Sequence, residues 1–157
     1  MIILAIDPGT KCGWAVRRGD GRILESGTWD LSTRRFEGGG MRFLRLRAFF
    51  QAALNLAKPD MVAFEEVRGH KGTDAAHIYG GVIATITEEC EARGIPYQGI
   101  PVATIKRHAT GKGNADKAAM ILAAQEKWPG WCGDDNEADA RWIAETAVYE
   151  LGAREAA

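Results

Sequence analysis

The first apolar run of the chain, Ile2-Ile3-Leu4-Ala5-Ile6, is continuous and rich in β-branched residues, the pattern of a strand buried on both faces. Gly13–Arg17 and Ile23–Leu31 read as two further strands, joined through Gly19-Asp20-Gly21, residues that favour a tight hairpin turn. Gly38, Gly39 and Gly40 then break the chain before a helix of about four turns, in which Phe43, Leu46, Phe50, Leu54 and Ala57 share one apolar face. Lys58-Pro59-Asp60 ends that helix, and Met61–Phe64 reads as a second buried strand. Asp74–Arg93 is predicted helical with Gly94 as its C-cap, and Tyr97–Ile100 is a short strand between Pro96 and Pro101. Helices follow at Val102–Ala109, Ala115–Lys127 and Glu137–Leu151, with Trp128–Gly133 as a loop. This order predicts an α/β fold: a five-stranded mixed sheet, three antiparallel strands followed by parallel ones, with helices on both faces.

Composition narrows the picture. The 157 residues are 46% hydrophobic and 26% charged, ordinary globular usage, and neither a repeat nor a low-complexity linker divides them; one domain over residues 1–157 is expected. Twenty basic residues against twenty-one acidic leave a net charge of -1. A uniformly cationic nucleic-acid wrapper is thereby excluded, and a polyanion would have to meet a local basic patch. The apolar start is too short for a membrane span and lacks the basic leader of a signal peptide, so a cytoplasmic protein without a membrane partner is expected. Cys12, Cys90 and Cys132 have neither disulfide nor zinc spacing and read as reduced thiols; His70, His77 and His108 are scattered and receive no role. Trp128 and Trp131 flank Pro129-Gly130 and are expected in core packing, with base stacking or a subunit contact as alternatives.

Candidate chemistry lies at the ends of the buried strands. Asp7 closes the first and precedes Pro8-Gly9-Thr10; Glu65 and Glu66 close Val62-Ala63-Phe64. Each acid alone is explained by a turn or by solvation of a strand end. Together they place carboxylates on two strands able to lie side by side, and like charges held close call for a cation or a proton between them. A third acidic group, Asp134-Asp135-Asn136-Glu137-Ala138-Asp139, opens the last helix, where such residues also serve as caps. Asn136 and Asp139 are three apart on one helix face, and Ala138 and Ala140 would let the helix approach a sheet closely. An all-oxygen set favours hard ions, Mg2+ or Mn2+, over zinc.

Two glycine-broken basic segments complement the acids. Arg34, Arg35, Arg42, Arg45 and Arg47 form the denser one, for which a solvated helix face is the plain alternative. In the other, Gly111-Lys112-Gly113 is a cationic loop, and Lys117 stands in the first turn of its helix after the expected cap Asn114, where a cation opposes the helix dipole.

These residues resemble the RuvC family of Holliday junction resolvases, of the RNase H-like fold, over nearly the whole chain. Ala5-Ile6-Asp7-Pro8-Gly9-Thr10…Gly13 is similar to the family's opening strand, and Ala63-Phe64-Glu65-Glu66-Val67 to its second acidic strand, which assigns the catalytic carboxylate to Glu65. Asn136-Glu137-Ala138-Asp139-Ala140 resembles its closing acidic helix. Lys106, Gly111, Gly113 and Ala115-Asp116-Lys117 resemble the segment carrying two functional lysines. The resemblance implies a homodimer that nicks four-way or otherwise branched DNA symmetrically, two Mg2+ (or Mn2+) ions per site being held by Asp7, Glu65, Asn136 and Asp139. Lys117 would act as a catalytic cation, with Lys106 and Lys112 on nearby backbone; Arg68, and Arg42 and Arg45 of the basic segment, are expected as further DNA contacts from their charge and place rather than from the resemblance. Two departures stand out. Asn136 replaces a fourth acid or histidine, with Asp135 or Glu137 as alternatives. Arg68 occupies the place of an aromatic residue that works at the junction centre, which leaves a broader branched substrate open. Other readings are an RNase H-like nuclease acting on RNA–DNA hybrids, a catalytically silent junction-binding protein and, from the Asp7–Thr10 turn, one domain of an actin-like ATPase or sugar kinase.

Overall fold

The computed structural model describes residues 1–69 and 72–155; His70 lies outside them. The strands are β1 (Ile2–Asp7), β2 (Lys11–Arg18), β3 (Ile23–Asp30), β4 (Met61–Glu66) and β5 (Tyr97–Pro101). The helices are α1 (Gly40–Ala57), α2 (Thr73–Arg93), α3 (Val102–Thr110), α4 (Lys117–Lys127) and α5 (Asp135–Glu155). One sheet has the order β3-β2-β1-β4-β5, with β1–β2 and β2–β3 antiparallel and β1–β4 and β4–β5 parallel. The expected mixed five-stranded sheet is therefore observed.

Because side chains alternate along a strand, β1 and β4 each serve two cores. Ile3, Ala5, Met61 and Ala63 face α3, α4 and α5, packing with Ile105, Met120, Ala138, Trp142 and Ile143. Leu4, Ile6, Val62 and Phe64 face the other way, onto Leu46, Phe50 and Leu54 of α1 and Val82 and Ile86 of α2. The alanines on the first face leave room for α5 to lie close. At Gly13 the approach is tightest: a Cβ there would stand 1.9 Å from the Asn136 carbonyl oxygen, so only glycine fits. Below this contact a buried ion pair ties α5 to β2, with Arg17 donating to both carboxylate oxygens of Glu145 at 3.0 and 3.1 Å.

Several boundaries differ from expectation. The α4 helix starts at Lys117 rather than Ala115, and its cap is Asp116 rather than Asn114: the Asp116 carboxylate accepts the Ala119 N–H at 2.9 Å. An anion at the positive end of the helix dipole is favoured over a neutral amide two residues earlier. The α5 helix begins at Asp135, two residues before the expected start, because the Asp134 side chain already accepts the Glu137 N–H. Trp128 packs on Trp142, ring centroids 5.0 Å apart, while Trp131 donates to Glu137, so both tryptophans serve the protein's own packing. Among the described residues no helix is long and apolar enough to cross a membrane.

Candidate active site

Three elements distant in sequence meet at one end of the sheet. Ile6 pairs with Phe64 across the parallel β1–β4 ladder, so Asp7 and Glu65 are the next residues out on neighbouring strands. Period-two alternation continues Ile3 and Ala5 into Asp7, and Met61 and Ala63 into Glu65, so both carboxylates face α5. Glu66, one residue on, belongs to the opposite face and pairs with Arg68 at 3.5 Å. Gly13 lies directly across β1–β2 from Asp7, and its contact with the Asn136 carbonyl sets the first turn of α5 over the site.

The carboxylates load one another. Burial first, and then the charges of Glu65, Asp139 and Asp135, hold Asp7 well above the usual carboxylate range, against the pull of Lys117. Burial and then Asp139 push Glu65 up to about 7, opposed by Lys106. Burial and then Asp135 push Asp139 up to about 6, opposed by Lys117 and Lys106. Three acids from β1, β4 and α5 thus stand close enough to disfavour one another's ionisation, a charge deficit that a hard cation would remove. Among the described residues no three His, Cys, Asp or Glu side chains are gathered closely enough to form a metal cage by themselves.

A cleft of about 310 Å³ opens over these groups, lined by Glu65, Val67, Val102, Lys106, Lys117, Met120, Asp135 and Asp139. Lys117 reaches Asp135 at 2.6 Å; the pairing lowers the Asp135 pKa and raises that of Lys117. Asp135 and Asp139 are four residues apart on one face of α5. Asn136 is not part of the cleft lining and donates its amide to Asp135 at 3.4 Å. Glu137 is committed to Ser26, Trp131 and Arg141.

The remaining predicted basic contacts divide. Lys112 is exposed on the loop before α4 and Arg68 is exposed beyond β4. Arg45 is spent on an internal brace, donating to Glu37 and to the Ser32 carbonyl, and Arg42 is half-buried. One positioning residue carries no sequence signal. The Tyr79 hydroxyl on α2 accepts the Val67 N–H and donates to the Glu65 carbonyl, both at 3.0 Å, and so clasps the end of β4.

A mixed sheet with acids at the ends of adjacent parallel strands, completed by an acid from a helix lying over them, defines an RNase H-like nuclease fold with an acidic centre. The family model described as crossover junction endodeoxyribonuclease RuvC matches residues 3–125. The chain belongs to the RuvC crossover junction endodeoxyribonuclease family. Among curated relatives bearing that name, the chain is 28% identical over 131 residues to the Erythrobacter litoralis protein, covering 82% of this chain and 80% of the relative. It is 34% identical over 129 residues to the Rhodococcus opacus protein, covering 76% and 65%. The solved structure of T. thermophilus RuvC in complex with Holliday junction substrate superposes with a TM-score of 0.83 at 25% identity, over 97% of this chain and 96% of that one. The yeast mitochondrial Holliday junction resolvase Ydc2 shares the fold alone, with a TM-score of 0.58 at 16% identity over 99% of this chain and 84% of that one.

Proposed function

We propose that this protein is a structure-selective DNA endonuclease that resolves four-way junctions by metal-dependent phosphodiester hydrolysis. The observation that carries the reading is the convergence of Asp7, Glu65 and Asp139, the last two lining a cleft with Lys106 and Lys117. Acids that raise one another's pKa suit two hard divalent ions, Mg2+ or Mn2+, better than solvent alone. Asp7, Glu65 and Asp139 would hold them, and Asn136, whose backbone lies against Gly13 opposite Asp7, or Asp135, which lines the cleft, would supply the fourth oxygen donor. Bound ions supply Lewis-acid chemistry at phosphorus: a water activated at neutral pH and a stabilised leaving oxygen.

The chain's own groups do the rest. Lys117, paired with Asp135 at 2.6 Å beside the cleft, would meet the negative charge of the scissile phosphate. Lys106, lining the same cleft from α3, would add a second cation, and Lys112 and Arg68 would grip backbone outside it. Tyr79 keeps Glu65 on its bearing by fixing the strand end. Paired nicks across a junction require two copies of the site, so the working form is a homodimer.

A synthetic four-way junction, incubated with Mg2+ and mapped for product ends, tests the reading. Symmetric nicks, lost in EDTA and in Asp7→Asn, are expected. Tight junction binding without cleavage in Mg2+ or Mn2+ would leave only a binding protein, and preferential cutting of RNA–DNA hybrid would move the substrate class.

A further inference from the structure

The segment between β3 and α1 presents an aromatic side chain to solvent on a braced turn. It leaves the sheet at the catalytic end. Asp7 lies across from Gly13 and Gly13 from Thr28, Lys11 is ion-paired with Asp30 at 2.7 Å, and the Leu31 N–H donates to the Thr10 carbonyl at 2.8 Å. The turn therefore starts beside the Pro8-Gly9-Thr10 loop that follows Asp7. Its shape is held from within. The Glu37 N–H donates to the Arg34 carbonyl at 3.0 Å, and the Glu37 carboxylate accepts the Arg34 N–H at 2.8 Å. Arg45, from the second turn of α1, bolts the turn to the helix through Glu37 and through the Ser32 carbonyl at 2.9 Å.

At the tip of this turn Phe36 is 91% exposed, the most exposed of the large hydrophobic residues among those described. A single apolar side chain in water is ordinary, and on its own would mean nothing. Its surroundings are not ordinary. Arg34 and Arg35 are exposed beside it, and the Arg35 guanidinium lies 5.4 Å from the Phe36 ring centroid. A ring with one guanidinium over one face, the other face toward solvent, and a second exposed arginine two residues before it, on a backbone fixed by its own hydrogen bonds, fits a ligand that offers a π-face and nearby phosphates.

We propose that Phe36 is a stacking platform for an unpaired or unstacked nucleobase of branched DNA, with Arg34 and Arg35 on the flanking phosphates. The proposal rests on the junction-binding reading above and adds the residue that distinguishes a branch from plain duplex. In duplex every base is stacked on its neighbours and has no free face. At a branch point a base must give up a neighbour, and an aromatic side chain replaces the lost contact. The occupant is a base rather than a second copy of this chain, because the two arginines next to the ring would face their own counterparts across a symmetric contact.

The test uses the full chain, a fluorescent 2-aminopurine placed at the centre of a synthetic four-way junction, and Ca2+ in place of Mg2+ to follow binding. Wild type is expected to bind the junction and change the 2-aminopurine emission. Phe36→Ala should weaken junction binding about 5- to 30-fold and abolish the emission change while leaving affinity for linear duplex of the same sequence intact. Phe36→Trp should restore both and Phe36→Leu should restore neither, since a stacking face and not mere apolarity is at work. Unchanged junction affinity in Phe36→Ala, an equal loss on duplex, or a shift from dimer to monomer in sedimentation would overturn the assignment. If wild type itself fails to bind junction, the functional reading falls and takes the platform with it; if wild type binds and Phe36→Ala binds the junction and changes the emission as wild type does, the platform alone falls.

Discussion

Replacing Glu65 by Gln should abolish cleavage and at the same time make the metal-free protein more stable, by an amount set by pH. Burial and Asp139 raise the Glu65 carboxyl from an ordinary 4.5 to about 7. The folded protein therefore binds this proton more tightly than the unfolded chain does, so the stabilisation is fully present below about pH 4.5 and is lost as pH rises through about 7. Each tenfold difference in proton affinity is about 1.4 kcal/mol, so ionised Glu65 costs the fold roughly 3 kcal/mol at pH 8 and close to nothing at pH 4. Glutamine keeps the shape without the charge. In EDTA, thermal unfolding of Glu65→Gln should exceed wild type by about 6–10 °C at pH 8, and the two should converge at pH 4. Added Mg2+ should raise the wild-type midpoint at pH 8 and leave the variant nearly unmoved. A difference between variant and wild type that is the same at pH 4 and pH 8 would refute the claim that charge crowding, rather than packing, governs this position.

Two further outcomes follow from the geometry. Gly13→Ala places a Cβ against the backbone of α5, 1.9 Å from the Asn136 oxygen and 2.5 Å from its carbonyl carbon. It should cost about 3 kcal/mol or more in urea unfolding; a loss below about 1 kcal/mol would show that α5 can lift away freely. Tyr79→Phe deletes the clasp on Val67 and Glu65 and should lower stability by about 1–2 kcal/mol while reducing junction kcat more than it raises KM; an unchanged kcat would remove Tyr79 from the positioning role.

The parts of this molecule legible in the sequence are those fixed by short-range periodicity. Asp7 and Glu65 follow short apolar runs bounded by proline or glycine, which favours central strands over buried helix, and strand pairing does the rest. The acidic start of α5 was legible as a group, but its register was not. Asn136 at i,i+3 and Asp135 at i,i+4 from Asp139 both share its face, and which of them reaches the acids depends on how the helix rests on Gly13, a contact made across the chain that sequence spacing does not give. The basic segment shows the same limit. Arg45 looks like a free cation in sequence, yet Glu37, eight residues earlier on a turn, claims it. The cap of α4 was misplaced for a local reason: Asn114 and Asp116 both suit the role, and the charged one prevails.

The position of α5 in the chain order has a consequence for how the enzyme comes into being. Asp139 sits on the last described helix, which also supplies Ala138, Trp142, Ile143, Ala144 and Ala147 to the cover over Ile3, Ala5, Met61 and Ala63. A growing polypeptide that has already made β1 and β4 therefore has two of its acids but an open, greasy sheet face and no third carboxylate. Sealing that face and completing the acidic cluster are one event. A half-made copy is an aggregation hazard to be shielded during synthesis, and never a nuclease at large.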